Sequence, residues 1–140
     1  MSAPHTFTGG CVCGAVRYEC NSRPLAMLNC HCRDCQQVSG GPYTPVVYVP
    51  AKAFRITKGT LSHYSTPSER GGENKRGFCP TCGSRITGAE NERGIGLTAS
   101  SLDDPSWFQP KMNIWTCDAH PWDAIDSKLP KFDQYPPEIN

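Results

Sequence analysis

The sequence predicts an all-β fold, a single domain of short strands arranged as an irregular barrel or sandwich and stapled by bound metal. Three observations predict it. Glycine and proline are abundant, with 13 of each among 140 residues, which favours strands and turns over long helices. Short runs alternate apolar and polar side chains, as half-buried strands do. Seven of the nine cysteines stand in closely spaced groups, which indicates metal ligands that support a small core, because only 37% of the residues are hydrophobic.

The predicted strands follow one another along most of the chain. Val16, Tyr18 and Cys20 alternate with polar neighbours, and the other runs show similar alternation or a short apolar core. We predict strands at 15–20, 46–49, 53–57, 60–65, 84–88, 94–99 and 112–116. The turn signal Lys58-Gly59 favours a hairpin between the third and fourth of these. Single helical turns are expected at 34–38 and 103–105, the domain at 6–130, and a Pro-rich surface tail at 131–140.

Charge and hydropathy exclude several classes of function. Subtracting 13 acidic from 14 basic side chains leaves a net charge of +1, without the basic stripe of a nucleic-acid-binding protein. No stretch approaches the ~18 apolar residues of a membrane span. The first ten residues lack the pattern of a signal peptide. We therefore expect a cytoplasmic protein whose thiols are reduced and available to metals rather than paired in disulfides.

Four cysteines form two pairs that are far apart in the sequence. The stretch "GGCVCG" carries Cys11 and Cys13, and "FCPTCGS" carries Cys79 and Cys82. Zinc–sulfur bonds of about 2.3 Å place tetrahedral ligand sulfurs roughly 3.8 Å apart, so both pairs must bend. Glycines flank the first pair, and Gly83 follows the second. These four cysteines are predicted to form a closed structural zinc site, a kind of site that supplies on the order of 10–16 kcal/mol in small peptides.

Three further cysteines, Cys30, Cys32 and Cys35, lie within the stretch "NCHCRDC". A closed zinc site needs a fourth ligand. The candidates within the chain are Cys20, Cys117, His31 and His120. Cys20 is favoured as a buried thiol, and Cys117 could belong to the core or to the site. Alternatively no protein ligand completes the site, and its open position takes water or an external thiolate, as catalytic zinc sites do.

Four motifs resemble, in order and spacing, those of the glutathione-dependent formaldehyde-activating enzymes, a family that includes centromere protein V. The motifs are "GGCVCGAVRYEC", "CHCRDCQQVSGG", "KRGFCPTCGS" and "MNIWTCDAHPW". The resemblance runs from about residue 6 to 130 and implies a fold like that of the mammalian suppressor of Sec-four proteins. It implies two Zn²⁺ per chain: a structural ion on the two pairs, and a catalytic ion on the three-cysteine cluster with glutathione sulfur as its fourth ligand.

The resemblance also implies a carbon–sulfur lyase that adds glutathione, or a related small thiol, to formaldehyde or another small aldehyde. The zinc-bound thiolate would be the nucleophile, so Cys30, Cys32 and Cys35 hold the catalytic centre. Arg76 matches an arginine typical of the family, and Arg33 lies inside the zinc loop. Together with His31, they are the candidates for binding substrate.

Several alternatives remain at this stage. A hydroxyl residue is frequent in the family where this chain has Cys117, and a thiol there could close the second site. His31, Ser39 and Tyr43 are weak candidates for proton delivery, while Trp115 and Trp122 are expected to pack in the core. The alternative function is a zinc-binding module without chemistry that carries a thiol or binds a partner.

Overall fold

The structure, a computed structural model, describes residues 2–137, and over that range the chain is mostly β-strand. The all-β prediction is confirmed, and the sheets are open rather than closed into a barrel. The chain divides into two compact units. The first unit contains residues 2–25 and 47–108, and the second contains residues 26–46 and 109–137.

The first unit contains one complete sheet of three antiparallel strands in the order β1-β2-β5. It also contains strands of a second sheet, in the order β4-β9-β8-β7-β6. The division between the units falls within β4. The strands are β1 (Phe7–Gly10), β2 (Arg17–Cys20), β4 (Thr44–Pro50), β5 (Phe54–Lys58), β6 (Ser62–Pro67), β7 (Glu73–Phe78), β8 (Arg85–Glu90) and β9 (Gly94–Thr98).

The core of the first unit forms around Tyr18 of β2, which is buried together with aliphatic side chains of β4, β8 and β9. The Tyr18 hydroxyl lies 2.7 Å from Ser101 Oγ, so its polar end is satisfied. Gly9 passes directly over this hydroxyl. A Cβ on Gly9 would lie 2.3 Å from Tyr18 Oη and 2.4 Å from the Ser101 carbonyl oxygen. Only glycine permits this close approach of strand β1 to the core.

The second unit is built on β3 (Ala26–Cys30) and β10 (Asn113–Ile114), which pair in parallel. Its apolar cluster contains Leu28, Cys30, Ile114 and Trp115. The ring of Tyr135 meets the ring of Trp115 edge-on, with centroids 5.4 Å apart. The C-terminal segment therefore packs on this cluster as far as the structure describes it. Residues 138–140 of the predicted tail lie outside the described residues, and the domain boundary at 130 stays a prediction.

Helix α1 (Arg33–Ser39) is the α-helix of the second unit and replaces the single turn predicted at 34–38. Its N-cap is Cys32, whose sulfur accepts a hydrogen bond from the Cys35 N–H at 3.3 Å. Its C-cap is Gly40, with φ +73°, which donates its N–H to the Gln36 carbonyl. The helix thus begins on one cysteine of the "NCHCRDC" stretch and carries another in its first turn.

The predicted hairpin between 53–57 and 60–65 is wrong. The turn exists, since Gly59 adopts φ +75°, but the two strands that flank it belong to different sheets. Strand β5 pairs with β2, and strand β6 pairs with β7. The Lys58-Gly59 signal located the turn correctly. A turn signal does not determine which strands β5 and β6 pair with.

Seven of the strands coincide with the predicted runs, whereas β1, β3 and β7 were not predicted. The sequences of β1 and β7, "FTGG" and "ENKRGF", lack regular alternation. Strand β7 is paired on both sides, by β6 and by β8, so backbone hydrogen bonding rather than an apolar face fixes it. No helix among residues 2–137 has the length and hydropathy required to cross a bilayer.

Candidate metal centres

The first cluster brings Cys11, Cys13, Cys79 and Cys82 together in the first unit. All four sulfurs lie within 4.8 Å of one another. The Cys11 and Cys13 sulfurs are 3.6 Å apart, and the Cys13 and Cys79 sulfurs are 3.8 Å apart. These separations match the roughly 3.8 Å expected for ligands around one tetrahedral zinc. The pairs predicted from spacing are therefore brought together with the geometry of a metal site.

Backbone turns at the ends of β1 and β7 shape this cluster. After β7, the Gly83 N–H donates to the Cys79 carbonyl at 2.9 Å, with Gly83 at φ +79°. The turn directs the N–H groups of Thr81 and Cys82 toward the Cys79 sulfur, at 3.4 and 3.5 Å. On the other side, the Val16 N–H donates to the Cys11 sulfur at 3.2 Å. Such N–H donors stabilise negative charge on sulfur, as metal-bound thiolates require.

The electrostatics of the four thiols also favour a bound cation. Hydrogen bonds from Ser84 lower the pKa of Cys82 to about 5. The Ala15 N–H lowers the pKa of Cys13, but desolvation and the three neighbouring thiols together outweigh it. The pKa of Cys13 is therefore raised to about 11. A bound cation would favour ionisation of the thiol whose pKa its neighbours raise. The donor set fits a thiolate-binding metal ion.

The second cluster brings Cys30, Cys32 and Cys35 together in the second unit. Their three sulfurs lie within 4.8 Å of one another. Cys30 ends β3 and is buried, whereas Cys32 and Cys35, at the start of α1, are half-buried. Sulfurs of Cys32 and Cys35 raise the pKa of Cys30 well above its usual value, and burial raises it further. A bound cation would favour ionisation of this thiol as well.

No fourth histidine, cysteine or carboxylate joins the second cluster among residues 2–137. The four candidates from the sequence lie elsewhere. Cys20 is 0% exposed in β2, with its sulfur 3.7 Å from the Ser22 carbonyl oxygen, consistent with a buried thiol. Cys117 is exposed beside Asp118. The chain thus gathers three ligands at this site, and Cys117 does not close it.

Neither histidine candidate belongs to the cluster, because each ring is engaged elsewhere. His31 Nδ1 lies 2.5 Å from Asp123 Oδ2, and its Nε2 lies 2.8 Å from the side-chain amide of Asn113. His120 Nε2 donates to Gln36 Oε1 at 2.8 Å. With both nitrogens occupied and the residue only 1% exposed, His31 has no ring nitrogen to offer a substrate in this state. Its substrate-binding role stays a prediction.

The two arginine candidates lie in different units. Arg33, at the start of α1, is exposed and donates from its guanidinium to Gln36 Oε1. Arg76, in β7, is 6% exposed and donates to Thr66 Oγ1 at 2.7 Å. Arg76 is therefore no solvated surface arginine. Nothing in these contacts tests whether either arginine binds substrate.

The two tryptophans that were expected in the core have different environments. Trp115 is buried, as predicted. Trp122 is 67% exposed, so the core prediction is wrong for this residue. Its indole stacks on the His120 ring, with centroids 5.0 Å apart and an interplanar angle of 11°. Stacking on a polar ring requires no apolar enclosure, and the sequence alone gave no sign of that partner.

The weak candidates for proton delivery lie close to α1. Ser39 Oγ donates to the Tyr43 carbonyl oxygen at 2.9 Å. The Tyr43 ring lies 5.2 Å from the His31 ring, measured between centroids. The sequence did not identify the polar side chains that contact residues 31–33. Three of them lie within the quoted motifs and one lies just after the last motif, but no spacing rule gave any of them a role. They are Gln36, Asn113, Asp118 and Asp123.

The sequence model for the family described as "Glutathione-dependent formaldehyde-activating enzyme" matches residues 6–118. The chain belongs to this family. The resemblance carried by the four cysteine motifs is thereby confirmed. The family description associates the chain with activation of formaldehyde by glutathione.

The fold is also found in a solved structure. A crystal structure of a Rhodobacter sphaeroides protein superimposes with a TM-score of 0.57 at 18% sequence identity. The match covers 89% of this chain and 98% of the other. The likeness at this level of identity shows that this member of the glutathione-dependent formaldehyde-activating enzyme family shares its fold with that protein.

Proposed function

We propose that the chain is a zinc-dependent carbon–sulfur lyase that adds glutathione to formaldehyde, giving S-(hydroxymethyl)glutathione. One observation carries the proposal: the second cluster offers three sulfurs, and no fourth protein ligand joins it among residues 2–137. Three protein ligands with one open position are typical of catalytic zinc sites. The family description supplies the two substrates.

The two clusters have separate roles in this proposal. Cys11, Cys13, Cys79 and Cys82 hold a structural ion, and Cys30, Cys32 and Cys35 hold the catalytic one. Zinc is the ion that suits both, because sulfur-only donor sets with tetrahedral spacing favour it. A bound Zn²⁺ would keep an incoming thiol deprotonated at neutral pH and fix its sulfur in place.

The reaction balances without an oxidant or a reductant. The glutathione sulfur forms a bond to the aldehyde carbon, and the C=O π pair moves to oxygen. The resulting alkoxide takes up one proton, which balances the proton lost from the thiol. The loop contributes by fixing where sulfur and aldehyde meet, the orientation component of catalysis. Because glutathione must keep a free thiol, a reducing compartment favours the reaction, and we propose the cytoplasm.

Glutathione carries two carboxylates and one amine, so its binding site should contain donors with positive charge. Arg33 is the first candidate, because it lies within the three-cysteine loop and is exposed to solvent. Arg76 is the second, on the strength of the family pattern and its burial. Arginine forms bidentate hydrogen bonds with carboxylates, which lysine cannot reproduce.

The test is to load the protein with Co²⁺, whose absorption reports thiolate coordination, and then to titrate glutathione. We expect two ions per chain, of which one changes its spectrum as glutathione is added. S-methylglutathione is the matched ligand control: it has no free thiol and should leave the spectrum unchanged. Cys32→Ser is the matched protein control, and it should remove the responding ion only.

A spectrum that saturating glutathione leaves untouched would contradict the open site. That result would favour the alternative, a zinc-binding module whose two ions are both closed. Formation of S-(hydroxymethyl)glutathione must exceed the rate without enzyme, because the uncatalysed addition is itself facile.

A further inference from the structure

We infer that Asp123, His31 and Asn113 are a positioning set that holds the three-cysteine loop in its ligating shape. None of the three is proposed to touch substrate or metal. His31 stands between two of the ligands, Cys30 and Cys32. Asp123 and Asn113 come from distant parts of the sequence and fix its ring.

Every hydrogen-bonding group of His31 is engaged. Its backbone N–H donates to the Ile114 carbonyl at 2.9 Å, and its carbonyl accepts from Gln36 Nε2 at 2.7 Å. Its ring nitrogens form hydrogen bonds with the side chains of Asp123, at 2.5 Å, and Asn113, at 2.8 Å. Four contacts therefore determine both the peptide plane and the ring orientation of this one residue.

The two side-chain partners are themselves anchored. The Asp123 side chain is 2% exposed, and its backbone N–H donates to the His120 carbonyl at 3.0 Å. Asn113 lies in β10, is buried, and exchanges backbone hydrogen bonds with residues 130 and 132. The His31 ring is thus held between two rigid points rather than between mobile side chains.

Fixing His31 fixes the neighbouring sulfurs. In extended backbone, successive side chains point to opposite sides. The anchored His31 ring therefore directs the side chains of Cys30 and Cys32 toward the other side, where the sulfurs meet. The Cys32 sulfur is held further by the Cys35 N–H at 3.3 Å.

The number of protein ligands explains why the three-cysteine loop needs to be held in shape. A site with four protein ligands gains affinity from each of them. A site with three must hold its metal with fewer bonds, and a pre-shaped loop avoids the entropy of ordering it on binding. Residues behind the ligands typically change metal affinity by about 10–100-fold when mutated.

This inference rests on the proposed function to the extent that the second cluster binds a metal. The experiment compares Asp123→Ala and Asp123→Asn with wild type, using competition between the protein and a chromophoric chelator for Zn²⁺. We expect Asp123→Ala to weaken the second ion by about 10–100-fold and to leave the first unchanged. Asp123→Asn restores an oxygen acceptor for His31 Nδ1 and should recover part of the loss.

Two controls separate positioning from general damage. Asp126→Ala removes an exposed carboxylate from the same segment, which accepts a hydrogen bond from the Lys128 N–H at 2.9 Å. It should alter neither ion. The ion on the four-cysteine cluster is the internal control within each variant. Should Asp123→Ala fail to fold, Asn113→Ala removes the opposite contact, and a selective loss of the second ion is again expected.

Three outcomes overturn the inference. Equal retention of both ions in Asp123→Ala shows that the loop holds its shape unaided. Equal weakening of both shows a general loss of stability. If the wild-type protein binds a single ion, both the proposed function and this inference are wrong. If it binds two ions and Asp123→Ala weakens neither selectively, the inference alone is wrong.

Discussion

The two cysteine clusters differ in the length of chain that each one joins. In the first, the contacting residues Cys13 and Cys79 are 66 positions apart. In the second, all three ligands lie within six consecutive positions, 30–35. A metal on the first cluster closes a long loop and so removes conformational entropy from the unfolded chain. A metal on the second closes only a short one.

This difference separates stability from function. The first cluster has its full set of four sulfurs and can hold an ion without outside help. The second has three, so an ion there retains a position for another ligand. On the proposed division of roles, the chain should stay folded after losing the second ion but not after losing the first. The following predictions test that division, starting with the largest effect.

Replacing Cys79 by serine should unfold the protein. Cys79 is 0% exposed, and a structural zinc supplies on the order of 10–16 kcal/mol, as much as the whole ~5–15 kcal/mol stability of a typical domain. Circular dichroism and thermal unfolding measure the outcome. Cys117→Ser, which changes an exposed thiol outside both clusters, is the control. A Cys79→Ser protein with wild-type melting behaviour would show that the core suffices without this metal.

Removal of metal by a chelator should proceed in two phases. We expect one ion to leave rapidly while the circular dichroism stays native, and the second to leave slowly as the protein unfolds. Three-ligand sites release metal more readily, because fewer bonds hold the ion. Stopped-flow absorbance with a chromophoric chelator measures both phases. Glutathione should slow the fast phase only, and a single phase with simultaneous unfolding would contradict the comparison.

The smallest effect concerns the second role of Cys32, as N-cap of α1. Cys32→Ser and Cys32→Ala should both lose the second ion and stay folded. Serine is a good N-cap and alanine is not, so the alanine variant should be less stable by about 1 kcal/mol. Denaturant unfolding of the two one-ion proteins measures this difference. Equal stabilities would mean that the sulfur contact with the Cys35 N–H does not cap the helix.

The sequence was informative wherever a local pattern determined structure. Spacing identified both cysteine clusters, because ligands that share one metal must come close together. Alternation located most of the strands. It missed three strands: β1, where glycine replaces a packing side chain at Gly9, β3, and β7, which is fixed by pairing on both sides.

Long-range partnerships could not be predicted from one sequence. Asp123 is an isolated carboxylate in a polar stretch, and nothing local indicates that it reaches a histidine 92 positions earlier. The wrong hairpin has the same origin, because the turn at Gly59 is a local property and the partner of β5 is not. Likewise, the sequence shows that Trp122 is large and apolar, but it does not show that the indole stacks on His120.

The exposure of Cys117 has a practical consequence. Of the nine thiols, seven lie in the two clusters, and Cys20 is enclosed in the core. Cys13, Cys82 and Cys117 are exposed, and Cys117 is the one of these three that lies outside both clusters. It is therefore a native attachment point for a single fluorophore or spin label, which would report on the second unit without any engineered cysteine.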